Sequence, residues 1–324
     1  MSDLVAYATG ALSLALALNI GANNSAAEMG PAYGAGVRSR RQALVLIFVF
    51  CTAGAIVAGG RVLHTVGRGL IAEGTLSANH AGALVVILSA LVLIALANGL
   101  RLPISTAHAV IGAMVGLGLF YHSANAPLVI RVVAWWVVTP LAALVFSYLL
   151  GLSLYPYLTR RVAAVRSQRA VNWVIALSAT LSGCWIAFSA GSNSLAKALG
   201  PAVAAGVFSP QSGAVVGGFG MAVGAVLLGG RMMKTVGKEI TTMSPLGAVL
   251  IELISASIVF TASRFGMPVS LAEIVTCSVI GFGAAANGVR DTTDNHHVRR
   301  IALLWPAAPV AAGAIAFGLQ FVLR

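Results

Sequence analysis

The stretch NIGANNSAAEMGPAYGAG, Asn19 to Gly36, closes the first long apolar run and holds three asparagines, a serine and a glutamate among glycines and alanines. Polar groups are expensive in hydrocarbon, and inside a span they face the protein interior or a cavity. The stretch is not unique. GANNSAAEMGP (Gly21–Pro31) returns 170 residues later as GSNSLAKALGP (Gly191–Pro201), with five of eleven positions identical. The same offset carries GGRVLHTVG (Gly59–Gly67) onto GGRMMKTVG (Gly229–Gly237), where six of nine agree. A weaker echo sets LPISTAHA, from Leu102, against MPVSLAEI, from Met267, and has slipped by five residues.

The rest of the chain is equally apolar. Of 324 residues, 59% are hydrophobic and 9% charged, with a mean hydropathy of +0.94; a soluble domain carries about 25% charged residues. Ten apolar segments stand out: Leu4–Ile20, Gln42–Gly60, Ala81–Leu100, Pro103–Phe120, Leu128–Leu154, Val171–Ala190, Gly213–Gly230, Pro245–Ser263, Pro268–Gly283 and Ile301–Leu323. Most approach the ~20 residues of a spanning helix, and only helices satisfy the backbone of such runs in hydrocarbon. The expected fold is an all-α polytopic membrane protein with about ten transmembrane or re-entrant segments. The short, Pro-led runs at Pro103 and Pro268 suit re-entrant hairpins. Only MSD precedes the first run, with no basic leader of a cleaved signal.

Lysine and arginine exceed acidic residues enough to give +12, yet they sit between the spans. With both termini outside, 14 of the 20 basic residues face the cytoplasm, as the positive-inside rule favours. Membrane orientation accounts for the charge without nucleic acid. Cys51, Cys184 and Cys277 lie within apolar segments at no metal-type spacing and read as core. RDTTDNHHVRR (Arg290–Arg300) reads as a polar interspan loop. No metal or cofactor is expected.

Each half holds five segments, and an odd count turns the second copy upside down. The expected organisation is a first inverted repeat over 1–155, a basic cytoplasmic linker over 156–170, and a second repeat over 171–324. Inverted-topology repeats are a hallmark of secondary transporters, with the site near the midplane where the repeats meet. That places the two polar motifs face to face.

The motifs are rich in donors. Gly-Pro is read as a helix break, whose exposed N–H groups favour an anion. Asn23, Asn24 and Ser25 face Asn193 and Ser194, and the proline-led turn adds Ser105 and Thr106, repeated as Ser270. Lys197 is the one full positive charge in either polar motif. Small polar residues also glue transmembrane helices, but their clustering at two related places describes an oxyanion cage. Glu28, His108, Glu252 and Glu273 are the candidate proton carriers, since an ionisable residue inside a span is a functional hypothesis by default.

GANNSAAEMGP, GSNSLAKALGP and LPISTAHAVIGAMVG together resemble the duplicated signatures of the inorganic phosphate transporter (PiT) family, across nearly the whole chain. The resemblance implies a cation-coupled oxyanion symporter with helical hairpins, commonly dimeric, whose signature asparagines and aspartates line anion and sodium sites. This chain departs from the pattern. Asn24 and Ser194 stand where the family carries aspartate, and Glu273 stands where the first half has His108.

Those departures bear on the substrate. Carboxylates only accept hydrogen bonds, whereas asparagine and serine donate. Phosphate near neutral pH keeps a proton for an aspartate to accept; sulfate has none. A carboxylate against sulfate adds repulsion and an unpaired acceptor in a low-dielectric site, and sites discriminate strongly through such groups. Sulfate is therefore expected, as in the sulfate permease-like branch of the family, with thiosulfate or phosphate as other candidates. Moving a dianion against 100 mV costs ~4.6 kcal/mol, from ~2.3 per charge, so co-transported cations are expected. Loss of two carboxylates weakens a sodium site and favours protons. The expected protein is a proton-coupled sulfate symporter of the cell membrane. A sodium- or proton-coupled phosphate symporter and a passive anion channel are the alternatives. An intramembrane enzyme finds no support, because His-Glu-x-x-His and Gly-x-Ser-x-Gly are both absent.

Overall fold

The computed structural model describes residues 2–34, 36–72, 74–78, 80–99, 105–229, 244–288 and 296–322. Among them helix is the rule, joined by short turns, and the one β pairing is an isolated bridge between Ile71 and Ala124. The first half supplies α1 (Ser2–Gly34), α2 (Arg40–Ala58), α3 (His80–Gly99), α4 (Thr106–Phe120) and α5 (Ala126–Leu152). A surface helix, α6 (Leu154–Ala163), leads to the second half: α7 (Gln168–Ala204), α8 (Pro210–Gly224), α9 (Pro245–Arg264), α10 (Leu271–Asn287) and α11 (His296–Val322). Each of the ten predicted segments contains one of these helices over most of its described residues. Seven of these helices, α8 taken with its wider-wound continuation to Gly229, are long and apolar enough to cross a membrane, while α3, α4 and α10 carry shorter apolar stretches.

Local sequence explains where helices begin. Ser39, Ser105, Asn125, Ser167, Ser209, Ser244 and Ser270 each stand at an N-cap and accept a hydrogen bond from the backbone N–H three residues on. Such caps satisfy donors that the helix itself leaves unpaired. Leu4, Tyr7, Val57, Ile130, Trp173, Leu227, Val310 and Phe321 are all exposed. An apolar exterior of this kind needs a bilayer to cover it, and the protein is integral to a membrane.

Close backbone approach organises the interior, as small residues permit. A Cβ on Gly21 of α1 would lie 1.8 Å from the Met221 carbonyl oxygen of α8, and one on Gly191 of α7 would lie 2.0 Å from that of Cys51 in α2. Gly191 is Gly21 shifted by 170, and Met221 is Cys51 shifted by 170. Gly54 against Phe188 and Gly224 against Leu18 obey the same rule, at 1.9 and 2.0 Å. Each contact is answered by its counterpart with the halves exchanged. The shorter helices trade partners too: α4 packs on α11, with Gly116 against Gly313, and α10 packs on α5, with Gly281 against Leu144.

One expectation fails. The polar motifs are not helix breaks: α1 and α7 run through them without interruption, and Pro201 lies inside α7. Proline and glycine are tolerated in membrane helices because neighbours re-satisfy the freed backbone groups. At 37 residues α7 is about 55 Å long, well beyond a hydrocarbon core. The basic linker is itself largely helical, α6 exposing all of its residues at least in part. Arg101, Pro103, Glu73, most of the second GGR motif with Glu239, and Asp291 to Asn295 lie outside the described residues.

Candidate oxyanion site

The first turns of α4 and α10 meet. Ser105 caps α4 and Ser270 caps α10, each accepting from the N–H of residue 108 or 273. From α4, His108 Nδ1 lies 3.2 Å from Glu273 Oε1 of α10, a pair that joins the two halves. The two capping hydroxyls, Ser105 and Ser270, thus flank the His108–Glu273 pair. Ser-x-x-Glu is a capping-box spacing, yet this glutamate turns to His108. A carboxylate thus lies among donors from two helix N-termini, each worth roughly half a positive charge. Thr106 is buried beside Ser105.

The tip before α10 is clamped group by group. Asn193 of α7 donates to the Met267 carbonyl at 2.9 Å and to Ser263 Oγ at 3.0 Å, and its own oxygen accepts from Val269 N at 3.0 Å. Trp136 of α5 donates its indole N–H to the Pro268 carbonyl at 2.8 Å while its ring stacks, tilted, 4.1 Å from that of His108. Lys197 of α7 donates to the Val269 carbonyl at 3.1 Å. A tip held this way is preorganised, and α10 presents its N-terminus in one place.

Next to the clamp the two copies of the polar motif touch. Asn24 Nδ2 donates to Ser194 Oγ at 3.0 Å, and Lys197 follows Ser194 by one turn of α7. Asn24, Ser194, Lys197, Ser270, Glu273, His108, Ser105 and Thr106 therefore form one buried tract.

Other predicted residues fall elsewhere. Asn193 gives its amide to protein groups rather than to a cavity. Ser25 donates to the Ala22 carbonyl and packs against Gly229. Asn23, one position from Asn24, is exposed. Glu28 is buried one turn beyond Asn24, with its backbone oxygen facing Gly183 and its carboxylate Oε2 without a partner among the described residues. Glu252 of α9 accepts from Ser182, and its second oxygen is unpaired among the described residues. Ser182 precedes Ser194 by 12 residues of helix, about 18 Å, so Glu252 is not part of the tract. The cysteines are free and buried, and no metal-type cluster occurs among the described residues.

Sequence reasoning passed over Trp136 and Ser263. A signal existed for the first: an indole N–H in the apolar run VVAWWVV requires an acceptor when buried.

Comparison with known proteins gives a consistent picture. The sequence model of the phosphate transporter family matches residues 20–178 and again 156–316. Over 306 residues the chain is 36% identical to the sulfate permease CysP of Bacillus subtilis (strain 168), covering 94% of this chain and 84% of that one. It is 26% identical over 413 residues to inorganic phosphate transporter 2-1, chloroplastic, of Arabidopsis thaliana, with 94% and 70% covered. A solved structure titled the sodium-dependent phosphate transporter superposes with a TM-score of 0.84 at 22% identity, covering 99% of each chain.

Proposed function

The chain belongs to the phosphate transporter family, and on that premise we propose that it is a symporter importing an inorganic tetrahedral oxyanion, sulfate foremost, together with protons. The carrying observation is the hydrogen bond from Asn24 to Ser194. At the equivalent place in both motifs the polar group is neutral and can donate, which suits a dianion with no proton of its own. The likeness to a sulfate permease supports the same choice. Substrate-binding roles go to Asn24, Ser105, Thr106, Ser194, Lys197 and Ser270. Asn193 acts from behind by holding the tip, while Ser25 serves packing and exposed Asn23 stands at the edge.

Coupling follows from competition for donors. In the empty site the carboxylate of Glu273 lies beside the hydroxyl donors of the caps Ser105 and Ser270. An arriving oxyanion takes those donors and adds negative charge beside Glu273. The carboxylate then binds a proton, because an unpaired buried charge is costly. His108, in contact with Glu273, is the second acceptor. Glu28 and Glu252 are assigned to passing protons to and from this pair.

A second reading is a sodium-coupled phosphate symporter, favoured by the overall likeness to a sodium-dependent phosphate transporter. The two halves are assigned to 1–155 and 171–324 about the basic linker, in inverted orientation, and the protein to the cell membrane as a homodimer. Purified protein in liposomes decides between the readings. Radiolabelled sulfate accumulation under an inward proton gradient, with phosphate and thiosulfate as competitors, supports the first. Uptake of phosphate that requires sodium and ignores sulfate overturns it. Sulfate flux that never exceeds its electrochemical equilibrium identifies a channel.

A further inference from the structure

The helix α5 ends at Leu152, and α6 starts two residues later. At 27 residues α5 is about 40 Å long, enough to cross a hydrocarbon core of about 30 Å and reach the headgroups beyond it. The start of α7 marks the same kind of boundary. Its exposed apolar surface begins at Trp173 and Val174 and continues through Leu177 and Leu181. Before it, residues 163–170 are all exposed, Arg166 and Arg169 among them. Arg169 precedes Trp173 by four residues, about 6 Å of helix, and tryptophan favours the membrane–water interface.

One side of α6 is seated on the protein. Leu154, Tyr155 and Leu158 pack on Leu250 and Ile251 of α9 and Phe282 of α10. The Tyr155 hydroxyl donates at 2.9 Å to that of Ser244, which caps α9. On another side Tyr157, Arg160 and Arg161 are exposed, at the three- and four-residue spacing that makes helix neighbours. Arg161 Nε donates to the Tyr157 hydroxyl at 3.1 Å, with its guanidinium 5.2 Å from the centre of that ring. Among the described residues none of these four arginines forms an ion pair. The sequence has no acid between Glu73 and Glu239, and Glu239 itself comes with Arg231, Lys234 and Lys238.

We infer that α6 and the start of α7 form a docking face for the headgroups of anionic phospholipids in the leaflet they border. Positive charge alone orients a span, and lysine serves that end equally well. Here all four cations from 156 to 170 are arginine, whose planar fork bonds phosphate oxygens in pairs. Arg169 lies within a screening length of the boundary at Trp173, about 8 Å at physiological salt. A free anion would meet only exposed side chains. A lipid headgroup is held at the right depth by its own acyl chains, which cover exposed Leu152 and Val174.

This docking does not depend on which solute the protein carries, and it is read without transport. Purified protein is reconstituted in phosphatidylcholine vesicles. Quenching of the tryptophan fluorescence that Trp173→Phe removes is followed as brominated-chain phosphatidylglycerol or brominated-chain phosphatidylcholine replaces part of the lipid. Phosphatidylglycerol should associate at least about fivefold more strongly, the factor for one basic side chain at an anionic surface. About 1 M salt, which shortens the screening length to about 3 Å, should remove the preference. Arg160→Gln, Arg161→Gln, Arg166→Gln and Arg169→Gln combined should remove it as well, with quenching by the brominated phosphatidylcholine unchanged. Equal association of the two lipids with the unaltered protein overturns the inference, and so does a preference that survives the salt, whether or not the variant folds. A preference that survives the four substitutions overturns it too. Inorganic phosphate that abolishes the preference at constant ionic strength identifies a free-anion site and overturns the lipid assignment.

Discussion

Asn24 of α1 and Ser194 of α7 are equivalent positions of a duplicated motif, 170 residues apart, and they are hydrogen-bonded to each other at 3.0 Å. A residue that bonds its own repeat mate sits beside the axis that exchanges the halves. Any change of charge at these positions is therefore felt by both motifs at once.

Asn24→Asp together with Ser194→Asp is expected to lower sulfate uptake by more than about tenfold, because one like charge at close range in a poorly screened site exceeds about 1.4 kcal/mol. Phosphate, which can donate a proton to a carboxylate, should gain relative to sulfate. Competition assays with both anions measure the shift, and unchanged selectivity would discredit the hydrogen-bond account.

Glu273→Gln is expected to lower accumulation driven by an inward proton gradient well below normal, His108 remaining as the single acceptor, while sulfate exchange continues. Glutamine keeps the shape and can still accept hydrogen bonds, but it cannot take up a proton. Normal accumulation by this variant would remove Glu273 from the coupling scheme.

Glu252→Gln separates a proton relay from a coupling group. Glu252 is bonded to Ser182 about 18 Å along α7 from Ser194. It should slow uptake while leaving the final accumulation ratio unchanged. A lowered final ratio would make it a coupling group after all.

Trp136→Phe deletes the donor to the Pro268 carbonyl and keeps a ring against His108. One neutral hydrogen bond is worth about 1 kcal/mol, so the apparent KM for sulfate should rise about fivefold with proton dependence retained. An unchanged KM would mean that Asn193 and Lys197 hold the tip without it.

Gly21→Val and Gly191→Val are expected to fail alike. Each places a Cβ about 2 Å from a backbone carbonyl, on Met221 or on Cys51. Expression and thermal unfolding in detergent report it. Loss in one variant but not the other would break the equivalence of the two halves.

The ten helices were legible because hydrocarbon imposes length and composition on any span. Pairing of the halves was legible from one shared offset, and Asn24 with Ser194 was predicted from it. The tip clamp was not. Asn193 reaches Ser263, Met267 and Val269, which lie 70 to 76 residues away, and no local pattern announces that reach. Treating Gly-Pro as a break misled, since that weight belongs to soluble helices; the helix N-termini beside the tract are instead those capped by Ser105 and Ser270. The adjacent asparagines also diverge, because neighbours on a helix point about 100° apart. Asn24 turns inward and Asn23 outward.

The trade of partners, α4 on α11 and α5 on α10, has a consequence for motion. The two halves are interlocked like clasped hands, and they cannot swing apart as independent lobes without tearing their best-packed seams. For the transport proposed above, opening to either side of the bilayer must instead come from a shift of α4 and α10 within a continuous frame. Fragments cut at the linker should for the same reason be unstable when made singly and recover only when co-produced.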